Sequence, residues 1–162
     1  MRRVLIKVHI QKMAGSGAKA QSALLKYIER DAKPGRLYND RSDAGERDVL
    51  AARGRKDRHQ FRVILSPEDA HELIDLRSFT LDLVGGIERD LGTRFDWVAA
   101  DHHDTGQPHS HLVIRGKRDD GHDLVIPKRY IEGISSNLAT GRGLVGKTTN
   151  TRTLALPQSR ED

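Results

Sequence analysis

Two apolar-rich segments that flank a short turn-rich stretch constrain the fold of this chain more than any other feature. They lie at 95–102 and 108–115, and the residues HDTGQ lie between them. Side chains that alternate between two faces indicate strands, and so short a connection joins antiparallel neighbours. We therefore predict a β-hairpin. When Ala100 is set opposite His111, the face that carries Trp97 and Leu112 is largely apolar and is expected to pack on helices.

The opposite face of this hairpin collects histidines. Four of the chain's eight histidines lie between 102 and 111. In the same register His102 faces His109, and directly opposed Cβ atoms lie about 5 Å apart, with diagonal neighbours at about 7 Å. His102, His109 and His111 can then meet on one divalent metal ion, with coordination positions left open for a substrate. The alternative is that these are ordinary surface or core histidines, since a register slip of one residue would scatter them.

The rest of the chain predicts an α+β fold. Strands are expected at 3–10 and 59–65, a helix at 18–32, a loop at 33–47 and a possible short fifth strand at 122–127. A second helix is expected to begin at Ser66 and Pro67, which suit a cap and a first helical position, and to end at Gly92. The element order indicates a mostly antiparallel sheet of about five strands with helices packed on one face.

Composition narrows the class of protein. A chain of 162 residues without cysteine predicts one domain whose metal sites use histidine or carboxylate ligands. No apolar run is long enough for a membrane span, so we expect a cytoplasmic protein without membrane insertion. The first 60 residues carry 15 basic and 7 acidic side chains, which indicates a surface for a polyanion such as nucleic acid or else a solvated basic face.

The histidine segment resembles a known metal motif. The pattern His102-x-Asp104-x-x-x-Pro108-His109-x-His111 is similar to that of HUH endonucleases, specifically the conjugative relaxases, also called mobilisation nucleases. The likeness extends over about residues 3–133 and includes KYIERD at 26–31, DRHQFRVILSPEDA at 57–70 and DGHDLVIPKRYIEG at 120–133. It implies the palm-like fold of that superfamily.

The resemblance also implies a reaction. Relaxases nick one DNA strand at a plasmid or integrative-element transfer origin, where a helix tyrosine attacks the scissile phosphate and remains joined to the 5′ end. On the matching motifs that tyrosine is Tyr27, with Tyr38 as the reserve, and the histidine triad holds Mg²⁺ or Mn²⁺, with Zn²⁺ as a further option. Asp104 is expected either to orient a histidine or accept the phenol proton, or to be only a turn residue, and Asp101 is a further supporting candidate. Phosphate contacts, or else solvated charges, are expected at Lys26, Arg30, Arg58 and Arg62.

The resemblance implies partners and a domain limit as well. The partners are single-stranded DNA at the transfer origin, accessory mobilisation proteins and a type IV secretion coupling protein. The catalytic domain is expected at 1–133, because residues 134–162 depart from the family pattern and read as a flexible tail. The alternative is a truncated relaxase that no longer cuts and only binds single-stranded DNA or mobilisation partners.

Overall fold

An antiparallel sheet organises the molecule. The computed structural model describes residues 4–31, 37–41, 47–68, 75–103 and 106–139. Within these ranges four strands pair in the order β1-β2-β4-β3, with every neighbouring pair antiparallel. They are β1 (Val4–Lys12), β2 (His59–Pro67), β3 (Trp97–His102) and β4 (His109–Arg115). The predicted α+β class with an antiparallel sheet is confirmed.

Helices cover both faces of the sheet, which differs from the expected single layer. The helices are α1 (Gly17–Asp31), α2 (Arg47–Arg53), α3 (Leu76–Leu91) and α4 (Lys128–Ala139). On one face α3 and α4 bury the apolar row that includes Trp97 and Leu112. On the other face α1 and α2 pack on Val98, Ala100 and Val113. The second layer forms because this face is also apolar at its centre. Helix α2 begins where the loop predicted at 33–47 ends, in a stretch for which the sequence predicted no helix.

The start of α3 corrects the sequence prediction. Ser66 and Pro67 belong to β2, where they pair with Leu5 and Val4 of β1. The helix begins instead at Leu76, after Asp75, whose side chain accepts a hydrogen bond from the Ser78 backbone at 3.2 Å. Ladder pairing with β1 has overridden the local helix-start signal. The predicted end is confirmed, because Gly92 caps the helix with a left-handed φ of 70°.

The β3–β4 hairpin has the predicted register. His102 pairs with His109, Ala100 with His111 and Asp101 with Ser110. Side chains of directly paired residues lie on the same face, so the three histidines share the face that α1 and α2 cover. This register therefore places all three histidines at the turn end of the hairpin, on the face that α1 and α2 cover.

The C-terminal part of the described chain adds α4 rather than a fifth strand. In the stretch expected to form that strand, the described residues make only an isolated bridge between Lys117 and Asp123. Helix α4 continues past residue 133, and Ile134 lies in the core against α3 and the sheet. Residues 140–162, which hold most of the predicted tail, lie outside the described residues. No helix in the described ranges has the length and apolar character needed to cross a membrane.

Candidate metal centre

Three imidazole rings converge at one end of the β3–β4 hairpin. The ring centroids lie 5.2 Å apart for His102 and His109, 4.7 Å for His102 and His111, and 4.9 Å for His109 and His111. One ring nitrogen from each residue lies within 4.8 Å of the other two. His102 is buried, whereas His109 and His111 are half-buried. The cluster is therefore packed into the protein at His102 and open to solvent at His109 and His111.

Hydrogen bonds orient two of the rings. The Nδ1–H of His109 donates to the Gln107 carbonyl at 2.9 Å, which leaves its Nε2 as a lone-pair nitrogen. The Nε2–H of His102 donates to the carbonyl of Ile28 on α1 at 3.3 Å, which leaves Nδ1 as the lone-pair nitrogen. Backbone partners of this kind fix the tautomer and orientation of metal-binding histidines.

The nitrogen positions fit a divalent cation. The Nε2 atoms of His109 and His111 lie 3.2 Å apart. Two nitrogens that bind one tetrahedral zinc at about 2.0–2.1 Å are about 3.3 Å from each other. Burial, together with the charges of His102 and His109, lowers the pKa of His111 to about 4. The ring of His111 is therefore neutral at neutral pH, and a neutral imidazole is the form that binds metal.

A buried polar network supports the hairpin from the opposite face. The carboxylate of Asp101 accepts hydrogen bonds from the Tyr38 hydroxyl at 2.7 Å and the Ser110 hydroxyl at 2.6 Å. Ser110 also bonds the Thr80 hydroxyl of α3 at 2.9 Å. Because Asp101 precedes His102 and Ser110 separates His109 from His111, this network ties together the strand ends that carry the triad. Asp101 thus acts from behind the sheet, not beside the rings.

Tyr38 does not fit the reserve role that the sequence suggested. Its side chain is buried, its ring packs on Trp97, and its backbone pairs with Ala99 at the edge of β3. Burial, followed by the charge of Asp101 and the hydrogen bond to it, raises the pKa of the phenol well above its usual value. A buried phenol that holds its proton so firmly is a poor nucleophile.

Tyr27 lies on an exposed flank of α1, the helix that bonds His102. Its side chain is 49% exposed, and the next residue, Ile28, is the one whose carbonyl bonds His102. Glu29 accepts a hydrogen bond from Arg47 of α2 at 2.7 Å. Successive residues of a helix are rotated by about 100°, so Tyr27 and Glu29 lie on opposite flanks of Ile28. Because Glu29 contacts α2, Tyr27 faces away from α2. It therefore borders the part of the sheet face that α2 leaves uncovered.

The four predicted phosphate contacts separate into two groups. Lys26 and Arg30 are exposed on α1, where the Arg30 guanidinium lies 5.8 Å from the centre of the Tyr27 ring. Arg62 lies on the triad face of β2, and its Nε donates to Gln21 of α1 at 2.8 Å. Arg58 precedes β2 at its far end, six residues from the partner of His111, which is about 20 Å along a strand. Asp104 lies outside the described residues.

The structure also has an exposed surface beside the triad whose residues were not among the predicted site residues. We call it the open corner, and it consists of Leu5, Lys7, Ile64 and Ser66. These residues share the triad face, because Ile64 pairs with both Lys7 and His111, and Ser66 pairs with Leu5. Leu5 and Lys7 are exposed, and Ile64 and Ser66 are half-buried. The strand pattern of β1 indicated two faces, but only the sheet order could place this one beside the triad.

Sequence comparisons return no matching family model and no matching curated protein.

Proposed function

We propose that this chain is a metal-dependent, tyrosine-mediated nickase and strand transferase of the relaxase kind, acting on single-stranded DNA at a transfer origin. The observation that carries the proposal is the pairing of a three-histidine cluster with an exposed tyrosine on the helix that contacts it. In this proposal His102, His109 and His111 hold a divalent metal, and Tyr27 is the nucleophile.

The metal supplies Lewis-acid stabilisation of the negative charge that develops on a non-bridging oxygen of the scissile phosphate. The chain's own residues hold and orient the ligands. Gln107 and Ile28 fix the rings of His109 and His102 through backbone carbonyls, and Asp101 braces the strands behind them. This support holds the rings of His102 and His109 in fixed orientations, with one nitrogen of each within 4.8 Å of a ring nitrogen of His111.

The chemistry assigned to Tyr27 is a transesterification. The phenol oxygen attacks phosphorus, a tyrosyl O–P bond forms, and the bond from phosphorus to the 3′ oxygen breaks. The phenol proton ends on the departing 3′ hydroxyl, so no water or energy source is consumed. Since the phosphotyrosine ester conserves the bond, the reverse attack by a 3′ hydroxyl rejoins the strand. The guanidinium of Arg30 lies 5.8 Å from the centre of the Tyr27 ring, so a positive charge stands beside the proposed nucleophile.

A covalent-adduct assay tests the proposal directly. The full chain is incubated with single-stranded oligonucleotides tiled across the transfer origin of the element that encodes it, with Mn²⁺ or Mg²⁺. We expect a denaturation-resistant adduct in which the protein is joined to the 5′ end of the DNA fragment downstream of the nick. EDTA and Tyr27→Phe should each abolish it. An adduct that persists in Tyr27→Phe would contradict the assigned nucleophile.

A matched control distinguishes loss of chemistry from loss of fold. His103→Ala removes an exposed histidine next to the triad and should leave the adduct intact, whereas His109→Ala should remove it. Binding of single-stranded DNA with no adduct at any tested sequence would favour the alternative, a remnant that binds without cutting.

A further inference from the structure

We infer that the open corner, together with Arg62 beside it, binds the backbone of the single-stranded DNA whose scissile phosphate reaches the triad. This inference rests on the proposed function for the identity of the ligand. It assigns binding roles to Lys7 and Leu5, which the sequence-based set of phosphate contacts did not include.

The open corner contains an exposed apolar side chain, Leu5, which the packing of the described residues leaves in contact with solvent. Leu5 is 54% exposed, although the alternate residues of β1, such as Val4 and Ile6, pack into the core on the other face. Leu5 and Ile64 lie on the same face of neighbouring strands. A shallow apolar floor of this kind can pack against the faces of unpaired bases.

The open corner also carries the charge that a nucleic-acid backbone requires. Lys7 is exposed, and His9 and Arg62 form the next cross-strand pair on the same face. Lys7 lies two strands away from His111, through Ile64, and two strand spacings amount to about 10 Å. A strand held at the triad would therefore pass Lys7 and Leu5 within its next nucleotides.

The opposite part of the same sheet face is closed to a polyanion. Helix α2 covers it, and the carboxylates of Asp57 and Asp96 lie there. These carboxylates pair with Arg115, and Asp96 also pairs with Arg53, so both arginines are already occupied by ion pairs within the protein. Because Tyr27 lies on the flank of α1 that faces away from α2, the open corner is also the side on which the nucleophile stands. Charge and access thus select one path for the strand.

Equilibrium binding without metal tests the inference apart from the chemistry. Fluorescence anisotropy of a labelled oligothymidylate is followed over a range of salt concentrations in EDTA, in a Tyr27→Phe background. Lys7→Gln should weaken binding and reduce the slope of log K against log salt by about 0.7, the value for one phosphate contact on a single strand. Leu5→Ser should weaken binding several-fold with the slope unchanged, because it removes an apolar contact.

Lys12→Gln is the matched control. Lys12 is an exposed lysine on the same strand, but it lies at the far end of β1 and alternates to the other face. Its substitution should leave affinity nearly unchanged. Equal losses in Lys7→Gln and Lys12→Gln, or tighter binding of duplex than of single-stranded DNA, would overturn the inference. Failure of the adduct assay with these binding results intact would reject the nickase and retain the binding surface.

Discussion

The Nε2 atoms of His109 and His111 lie 3.2 Å apart. Because the Nδ1–H of His109 donates to the Gln107 carbonyl, the His109 Nε2 is an acceptor. The Nε2 of His111 can therefore lie this close to it either as a hydrogen-bond donor or as a second metal ligand. Without metal, the Nε2–H of His111 donates to it. A divalent ion held by both Nε2 atoms would require the His111 proton to lie on Nδ1, because an imidazole binds metal through a lone-pair nitrogen. The separation suits both states, so binding of an ion would require little movement of the strands.

Metal binding should stabilise the fold through the triad. At a free Mn²⁺ concentration of about one hundred times its Kd, a site that exists only in the folded state adds about 2.7 kcal/mol. For a chain of this size that raises Tm by about 5–10 °C. Differential scanning calorimetry with and without Mn²⁺ measures the shift, and His111→Ala should abolish it.

His103→Ala again serves as the control for metal binding, since His103 is exposed and lies outside the triad. It should keep the full shift in Tm. The metal site would be ruled out if Mn²⁺, Mg²⁺ and Zn²⁺ all left the Tm of the unmodified chain unchanged, or if His111→Ala and the unmodified chain shifted equally.

Replacement by phenylalanine should lower the free energy of unfolding at one of the two tyrosines near the sheet and leave it almost unchanged at the other. Tyr38→Phe removes the hydrogen bond to the buried side of Asp101 and should lower the free energy of unfolding by about 1–3 kcal/mol. Tyr27→Phe, at an exposed site, should change it by no more than about 0.5 kcal/mol. Urea denaturation measures both values. Equal stabilities of the two variants would contradict the supporting role of the Asp101 network.

The ion pair between Arg115 and Asp57, at the far end of the triad face, should contribute strongly to the stability of the fold. Arg115 contacts Asp57 at 2.7 Å, and the Asp57 side chain is only 2% exposed. Removing one partner of a buried pair leaves an uncompensated charge, so Arg115→Ala should cost about 3–5 kcal/mol by urea denaturation. Arg41→Ala, which removes an exposed arginine 3.9 Å from Asp40, should cost less than about 1 kcal/mol. A similar small cost at Arg115 would argue against a tightly paired Asp57.

Asp96 should contribute a pH-dependent part of the stability. Burial raises the pKa of Asp96, but the hydrogen bonds and charges of Arg53 and Arg115 outweigh it and hold that pKa below its usual value. A lowered pKa in the folded state stabilises the fold above the unfolded-state value of about 3.9. The contribution is lost as pH falls through the folded-state pKa.

The comparison of Asp96→Asn with the unmodified chain checks this sign. The difference in their free energies of unfolding, from urea denaturation, should be largest near neutral pH and should shrink below about pH 4. Asp82→Asn, at an exposed position on α3, should differ little from the unmodified chain at neutral pH. A difference for Asp96→Asn that grows towards acid would mean that burial outweighs the two arginines.

Local sequence determined the elements whose signals lie within a few residues. Alternation in two nearby segments set the β3–β4 register and thereby the convergence of His102, His109 and His111, because a short connection leaves few pairings open. The end of α3 at Gly92 followed in the same way from a left-handed cap. The start of α3 did not, because Ser66 and Pro67 satisfy a distant strand, β1, rather than the next turn of helix.

Only the tertiary structure decided what surrounds the triad. The sequence could not tell that Tyr38 would be buried behind Asp101, that Arg58 would lie far along β2, or that Tyr27 would face the uncovered half of the sheet. Each of these outcomes depends on the order β1-β2-β4-β3 and on the side of the sheet that α1 and α2 occupy. The register of two neighbouring strands depends on the side-chain patterns of those two strands alone. The position of the α1 and α2 layer, and the open corner that it leaves, depend on how the whole chain buries its apolar surface.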